Sequence, residues 1–240
     1  TGATGFIGQN LVPLLLANNY NISVIGRNYK KAKQFDWFKN VEFIELDLYK
    51  DNKTIKICEN TGLIHLAWEG LPNYTSLSHF EKNLIHGYKF LKSMILSGVK
   101  KVLVSGTCFE YGFQNGPIHS NAKTYPNNSY AFAKDCLRKQ LEFLSISNPF
   151  CLQWARLFYI YGKGQNSNSL LSQLDSAIDN NYEYFNMSIG DQLRDYLPVS
   201  EVVKQLLQLF TNNSQGTFNI CSGKPISILN LVKKRIKERQ

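Results

Sequence analysis

Apolar positions along the chain fall into short runs that alternate with stretches of helical period. "NISVIG" (21–26), "VEFIELDL" (41–48), "GLIHLAW" (62–68) and "KVLVSGT" (101–107) are brief and β-rich, and "FCLQWARLFYIYG" (150–162) is a longer run of the same kind. Their length and bounding residues predict strands. In "FEKNLIHGYKFLKSMILSG" (80–98), Leu84, Tyr88, Leu91 and Ile95 recur at helical spacing, and Gly98 is a plausible stop. "SYAFAKDCLRKQLEFLSI" (129–146) predicts a second helix with Ser129 as N-cap. "FIGQNLVPLLLANN" predicts a helix near the start, adjusted locally at Pro13, which has no amide to donate. Helices over 198–210 and 227–239 follow, with Ser200 and Ser227 near their starts.

Buried strands alternating with helices predict an α/β fold, a doubly wound parallel sheet covered on both faces. After Gly162 the pattern loosens into "GKGQNSNS" and shorter mixed elements. Residues 1–162 therefore read as one layered domain and 163–240 as a smaller lobe, with helix 198–210 returning to the sheet. At 43% hydrophobic and 19% charged residues, the 240-residue chain has enough apolar material for a sizeable core. No apolar run approaches the roughly 18 residues of a membrane helix. The five cysteines show no metal-ligand or CxxC spacing, which fits reduced thiols in the cytoplasm. The net charge of +9 is dispersed except in "VKKRIKER", where Val232 and Ile236 lie four residues apart. That spacing reads as a solvated helix face, so no nucleic-acid partner is expected. A positive balance also suits a substrate carrying phosphates.

"TGATGFIG" sets Gly2, Gly5 and Gly8 at GxxGxxG spacing just before a helix. A tight strand-to-helix turn needs residues without Cβ, and a helix N-terminus offers free N–H groups to a pyrophosphate. A surface turn is the alternative. In a doubly wound sheet the end of the next strand lies beside the adenosine ribose. The residues there are Gly26, Arg27 and Asn28, with no carboxylate, and an arginine fork suits a 2′-phosphate. NADP is therefore the expected cofactor, with NAD the alternative and Arg27 as a plain surface residue the bland reading.

Tyr130 and Lys134 form a YxxxK pair on one helix face. A phenol titrates near pH 10, and an ammonium one turn away is expected to lower that value and equip Tyr130 to pass a proton. Ser105 and Thr107 end the strand "KVLVSGT", where either hydroxyl can hold a carbonyl oxygen against Tyr130 or simply cap the strand.

The ordered motifs "TGATGFIG", "DL" (47–48), "HLAW", "VSGTCFEYG", "YAFAK", "ARLFYIYGKGQ", "RDYLPVSEV" and "FNICSG" resemble the extended short-chain dehydrogenase/reductases, the NAD-dependent epimerase/dehydratase family that acts on nucleotide sugars. The resemblance covers nearly the whole chain. It implies a Rossmann domain over 1–162 and a substrate lobe mainly over 163–240. It assigns catalysis to Thr107, Tyr130 and Lys134, and the cofactor to Gly2, Thr4, Gly5, Phe6, Ile7, Gly8, Arg27, Asn28, Asp47, Leu48, Leu66, Ala67 and Lys134. It places the substrate against Thr107, Tyr130, Tyr159 and Arg194, with no metal. Asn83 falls where the family often has an Asn.

Departures narrow the reaction. The dehydratase branch carries Asp-Glu after its catalytic Thr, whereas this chain has Cys108 and Phe109. Tyr159 stands where many relatives have an Asn, and Trp68 where relatives often carry Ala. The expectation is hydride transfer from NADPH to C4 of a nucleoside-diphosphate 4-keto-6-deoxyhexose. A resident-NAD 4-epimerase is the alternative, and a non-catalytic dinucleotide-binding module a remote one. The resemblance also implies a homodimer packed through helices 80–97 and 129–146, and a role in polysaccharide sugar synthesis. An apolar strand of about seven residues is expected to precede Thr1, and a further stretch to follow Gln240.

Overall fold

Helix and strand alternate along the computed structural model, which describes residues 1–50 and 55–239. The glycine turn opens into α1 (Gly8–Ala17), followed by β1 (Ser23–Gly26), the single turn α2 (Tyr29–Ala32), β2 (Glu42–Glu45) and β3 (Gly62–His65). A π-helical turn, His79–Leu84, runs straight into α3 (Ile85–Leu96), and β4 (Lys101–Thr107), α4 (Ser129–Ser147), β5 (Cys151–Leu157) and β6 (Tyr159–Tyr161) follow. The remaining elements are α5 (Leu170–Asp179), β7 (Leu193–Arg194), β8 (Tyr196–Pro198), α6 (Val199–Thr211), β9 (Gly216–Ile220), β10 (Ile226–Ser227) and α7 (Ile228–Arg239).

β3, β4, β5 and β9 form a parallel sheet in that order, and β1 pairs with β2, also in parallel. β4 and β5 are buried on both faces, so apolar residues take consecutive positions, 102–104 in β4 and 154–155 in β5. Val102 and Val104 point to one face, packing on Leu91, Met94 and Ile95 of α3 and Leu137, Leu141 and Leu144 of α4. Leu103 points to the other, against Val202, Leu206 and Leu209 of α6. Successive residues of a strand face opposite ways, so one strand joins two helical layers. Thr1 lies alongside β3, donating to the Ile64 carbonyl at 2.8 Å and accepting from the Leu66 amide at 3.2 Å. α1 stays helical through Pro13. It packs on β1 through Val12 and on α6 through Leu11 and Leu15.

Several expectations change. The run 150–162 is two strands, because the chain leaves the main sheet after Leu157 and β6 pairs with β8 instead. The N-cap of α4 is Asn128, whose side chain accepts from the Ala131 amide at 2.9 Å; Ser129 instead donates to the Tyr74 carbonyl. α6 is preceded by Pro198, and Ser200 lies inside its first turn. β2 and β3 are shorter than the apolar runs that announce them. In the region after Gly162, α5 and α7 pack through Leu171, Leu174, Leu231 and Val232, and Arg235 grips Asp175 at 2.7 and 2.8 Å. Val232 and Ile236 thus face this small core, and Arg235 and Arg239 of the basic run pair with Asp175 and Asp179 of α5.

Candidate active site

The glycine turn is closed by Gly5 N–H donating to the Gly2 carbonyl at 3.0 Å. Gly2 sits at φ +77°, and a Cβ on it would lie 2.7 Å from the backbone of Leu66 and Ala67. A Cβ on Gly8 would lie 2.2 Å from the Gly2 carbonyl oxygen. Only bare backbone lets the turn nest against the end of β3 and enter α1 at once. No acidic residue occupies the first turn of α1, which leaves its N-terminal amides suited to a phosphate. The residues present therefore fit the pyrophosphate of a dinucleotide, with Thr4, Phe6 and Ile7 in the same turn and Leu66 and Ala67 directly behind it.

The catalytic candidates meet at the carboxyl end of β4. Thr107 ends that strand, and the 3₁₀ turn Cys108–Tyr111 follows it. Thr107 and Glu110 form a reciprocal cap: the Thr107 hydroxyl accepts from the Phe109 amide at 3.3 Å, and the Glu110 carboxylate accepts from the Thr107 amide at 2.8 Å. Tyr130 and Lys134 project from α4 toward this turn, and all three are buried. Lys134 Nζ donates to the Ser105 carbonyl at 2.7 Å and lies 4.0 Å from the centroid of the Trp68 ring.

Ser105 does not join the site through its hydroxyl. That group donates to the His65 carbonyl at 3.4 Å, inside the sheet, whereas the Thr107 hydroxyl hydrogen-bonds with Tyr130. The expected lowering of the Tyr130 pKa is reversed. Burial pushes the phenol above its usual value and the charge of Glu110 adds to the rise, while hydrogen bonding from Thr107 opposes it. Burial brings Lys134 down to about 7, with Glu110 acting the other way. Cys108 is pushed up to about 12, first by burial and then by Glu110, so its thiol stays protonated and inert.

An aromatic wall continues outward from Tyr130. Its ring meets Trp68 at 5.9 Å, His79 at 5.3 Å and Tyr74 at 5.7 Å. From Tyr74 contacts pass to Phe109, Tyr159 and Tyr196. The Arg194 guanidinium lies 5.6 Å from the Tyr159 ring centroid, which brings both proposed substrate residues to one side of the site. Asp195 accepts from the Ser222 and Gly223 amides, each at 2.7 Å, and so pins the "RDY" segment to the "CSG" loop.

Sequence reasoning missed most of a second layer. His79 is fully buried; its Nε2 donates to the Asn73 carbonyl at 2.6 Å, and its Nδ1 accepts from the Trp68 indole at 3.0 Å. Asn83 donates to the Glu69 carbonyl at 3.0 Å and accepts from the Tyr49 hydroxyl. Beneath Thr107, Glu110 accepts from Arg156 Nε at 2.7 Å and from the Trp154 indole at 3.0 Å. Of this layer the sequence had singled out Asn83, and the capping-box spacing of Thr107 and Glu110 was a further signal that pointed to it. At the other end, Arg27 is ion-paired with Glu69 and Asn28 caps α2 through the Lys31 amide. Asp47 accepts from the Tyr49 amide at 3.0 Å, beside Leu48.

The model of the NAD dependent epimerase/dehydratase family matches residues 1–221. The dTDP-6-deoxy-L-talose 4-dehydrogenase (NAD(+)) of Aggregatibacter actinomycetemcomitans is 32% identical over 240 residues, spanning 99% of this chain and 88% of that protein. A GDP-6-deoxy-D-talose 4-dehydrogenase of the same organism is 26% identical, over 95% of this chain and 75% of that one. Among solved structures, the UDP-N-acetylglucosamine 4-epimerase of Methanobrevibacter ruminantium M1 superposes with a TM-score of 0.85 at 24% identity, over 97% of this chain and 78% of the other. That likeness shows a shared Rossmann-type α/β fold. With the family match running over nine-tenths of its length, the chain belongs to the NAD dependent epimerase/dehydratase family, extended short-chain dehydrogenase/reductases that act on nucleotide sugars.

Proposed function

We propose that the protein is a C4 oxidoreductase of nucleoside-diphosphate 6-deoxyhexoses, interconverting the 4-keto and 4-hydroxy sugars with a nicotinamide dinucleotide and working most readily as a reductase. The observation that carries this reading is Tyr130 held as a neutral, buried phenol beside Thr107 and one turn from Lys134. In reduction, Thr107 orients the sugar's C4 carbonyl oxygen and Tyr130 donates its proton to that oxygen. A bound reduced nicotinamide supplies the hydride that adds to C4. The carbonyl π bond breaks, and a C–H and an O–H bond form. Lys134, next to Tyr130, holds the nicotinamide ribose and balances the phenolate left behind. Arg194 meets the substrate's diphosphate, and Tyr159 lines the sugar pocket.

The turn after Thr107 carries a protonated thiol and a phenyl ring where an elimination needs an acid and a base. That composition supports redox chemistry alone at C4. Both talose-nucleotide relatives are 4-dehydrogenases by name, which supports the same carbon and a 6-deoxy sugar. The Rossmann domain is read as 1–162 and the substrate lobe as mainly 163–240. Five free cysteines fit a cytoplasmic enzyme, and no helix among the described residues is long and apolar enough to cross a membrane. A second copy covers the apolar face of α4, the homodimer that the resemblance implies.

The test mixes the protein with NADH or NADPH and a dTDP- or GDP-linked 4-keto-6-deoxyhexose and follows reduced-nicotinamide absorbance. Loss of signal with formation of a 4-hydroxy sugar nucleotide is expected. A flat trace, with C4 epimers interconverting in the absence of added cofactor, would make the enzyme an epimerase.

A further inference from the structure

Arg27 follows β1 and Glu69 follows β3, and the two join in an ion pair. The glycine turn lies between those strands, since Thr1 runs beside β3 and α1 packs on β1. The pair thus spans the crevice at the carboxyl ends of the strands, where a doubly wound sheet binds its ligand. Glu69 is not a chance partner. Its carbonyl is held by Asn83 at 3.0 Å, its second carboxylate oxygen takes Lys82 at 3.2 Å, and its side chain is 26% exposed against 58% for Arg27. Lys82 is itself placed, with its ammonium 4.3 Å from the centroid of the Tyr49 ring.

We propose that Glu69 makes the enzyme select NAD over NADP, by occupying the arginine that would otherwise grip a 2′-phosphate and by repelling that phosphate with its own charge. A 2′-phosphate carries close to two negative charges, and to reach Arg27 it must displace a carboxylate that is already anchored. A ribose 2′-hydroxyl makes no such demand, and a carboxylate can accept its hydrogen bond. Selection therefore comes from the loop after β3, although the end of β1 carries only Gly26, Arg27 and Asn28. This rests on the reading that the protein binds a nicotinamide dinucleotide, and it deepens that reading by naming which one.

The experiment is calorimetric titration of NAD+ and NADP+ into the full chain, without sugar nucleotide, for wild type, Glu69→Gln and Glu69→Gln/Arg27→Gln. Wild type should bind NAD+ at least tenfold more tightly. Glu69→Gln should move the Kd ratio at least tenfold toward NADP+, and adding Arg27→Gln should return it to within about threefold of wild type. Circular dichroism checks that each variant folds, and Glu69→Ser serves if Glu69→Gln does not. A wild type that prefers NADP+, or a ratio unmoved by losing Glu69, overturns the proposal and leaves the C4 chemistry untouched. A shift that survives loss of Arg27 overturns the proposed route through that arginine. Failure of either dinucleotide to bind wild type overturns both readings, whereas binding without sugar turnover counts against the C4 assignment alone.

Discussion

The ammonium of Lys134 lies 4.0 Å from the centroid of the Trp68 ring, which shields it from water while the Ser105 carbonyl takes its hydrogen bond at 2.7 Å. Burial brings its pKa from 10.5 down to about 7, so the folded protein binds this proton less tightly than the unfolded chain does. Between those values the unfolded state holds more protons, and the contribution of Lys134 to stability rises with pH. Below about pH 7 the full penalty of burying the charge is present, worth several kcal/mol at about 1.4 kcal/mol per pH unit. Lys134→Met should therefore stabilise the cofactor-free protein at pH 7, with a gain that shrinks toward pH 10, while turnover is lost. Urea unfolding of both proteins at the two pH values checks this; an equal difference at both would show that the buried amine is not the cause.

Replacing Tyr130 by Phe removes the proton donor and keeps the ring that packs on Trp68, His79 and Tyr74. kcat should fall by about 10²–10⁴, the range of general acid catalysis, with dinucleotide affinity within a few-fold of wild type. Stopped-flow reduction and a binding titration separate the two. Retained turnover would place the proton transfer elsewhere.

Glu110 tests how far the buried charges tune that proton. Its carboxylate pairs with Arg156 at 2.7 Å and raises the Tyr130 pKa as a nearby negative charge. Glu110→Gln should cost about 3–5 kcal/mol by leaving Arg156 buried without a counter-charge. The surviving activity should show its alkaline limb at lower pH, because the phenol ionises more easily once the anion is gone. A merely structural role would lower stability and leave the pH profile in place.

Local spacing made part of this site legible. GxxGxxG and YxxxK are short-range patterns, and the structure sets Gly2 against Leu66 and Ala67 just past β3 and Lys134 against Ser105 near the end of β4. Residues whose roles depend on distant partners were not legible. Arg156 meets Glu110 from 46 residues away, and Glu69 reaches Arg27 across the glycine turn. Nothing local marks either pair, so Arg27 read as a free phosphate ligand. The break after Leu157 was hidden for a related reason: 151–161 is apolar apart from Gln153 and Arg156, and which sheet each half joins is decided by partners near 196–198 and 216–220. His79 became significant only when the π-helical turn set it beneath Trp68, and the same turn gave Asn83, already noted in the sequence, its contact with Glu69.

The glycine turn gives a prediction with little room for compensation. At Gly8 an added Cβ would lie 2.2 Å from a carbonyl oxygen and 2.5 Å from the Ala3 Cα, both backbone atoms that no rotamer change can move. Gly8→Ala should displace the turn from β3 and lower dinucleotide affinity by at least a hundredfold, with a loss of stability of a few kcal/mol from overpacking. Gly5→Ala meets only the Gly2 carbonyl, at 3.2 Å, and should cost far less of either. Titration with NAD+ and thermal unfolding rank the two, and equal losses would mean that the turn does not hold the pyrophosphate through its backbone.

Phe132, Phe143 and Ile146 stand on one face of α4 and are 48%, 73% and 76% exposed in the single chain. Phe132 meets Phe80 at 6.1 Å, so the apolar surface continues onto the π-helical turn ahead of α3. A stripe of large apolar side chains on a helix that also carries Tyr130 and Lys134 suits a second copy of the chain, which would fix α4 and with it the catalytic pair. Wild type should elute from light-scattering chromatography at twice the chain's 27.5 kDa. Phe143→Lys with Ile146→Glu should give the single-chain mass, with unfolding of the isolated chain within about 0.5 kcal/mol, as expected for exposed positions. If the variant remains dimeric, the partner contacts another face; if wild type is already monomeric, the stripe serves something other than self-association.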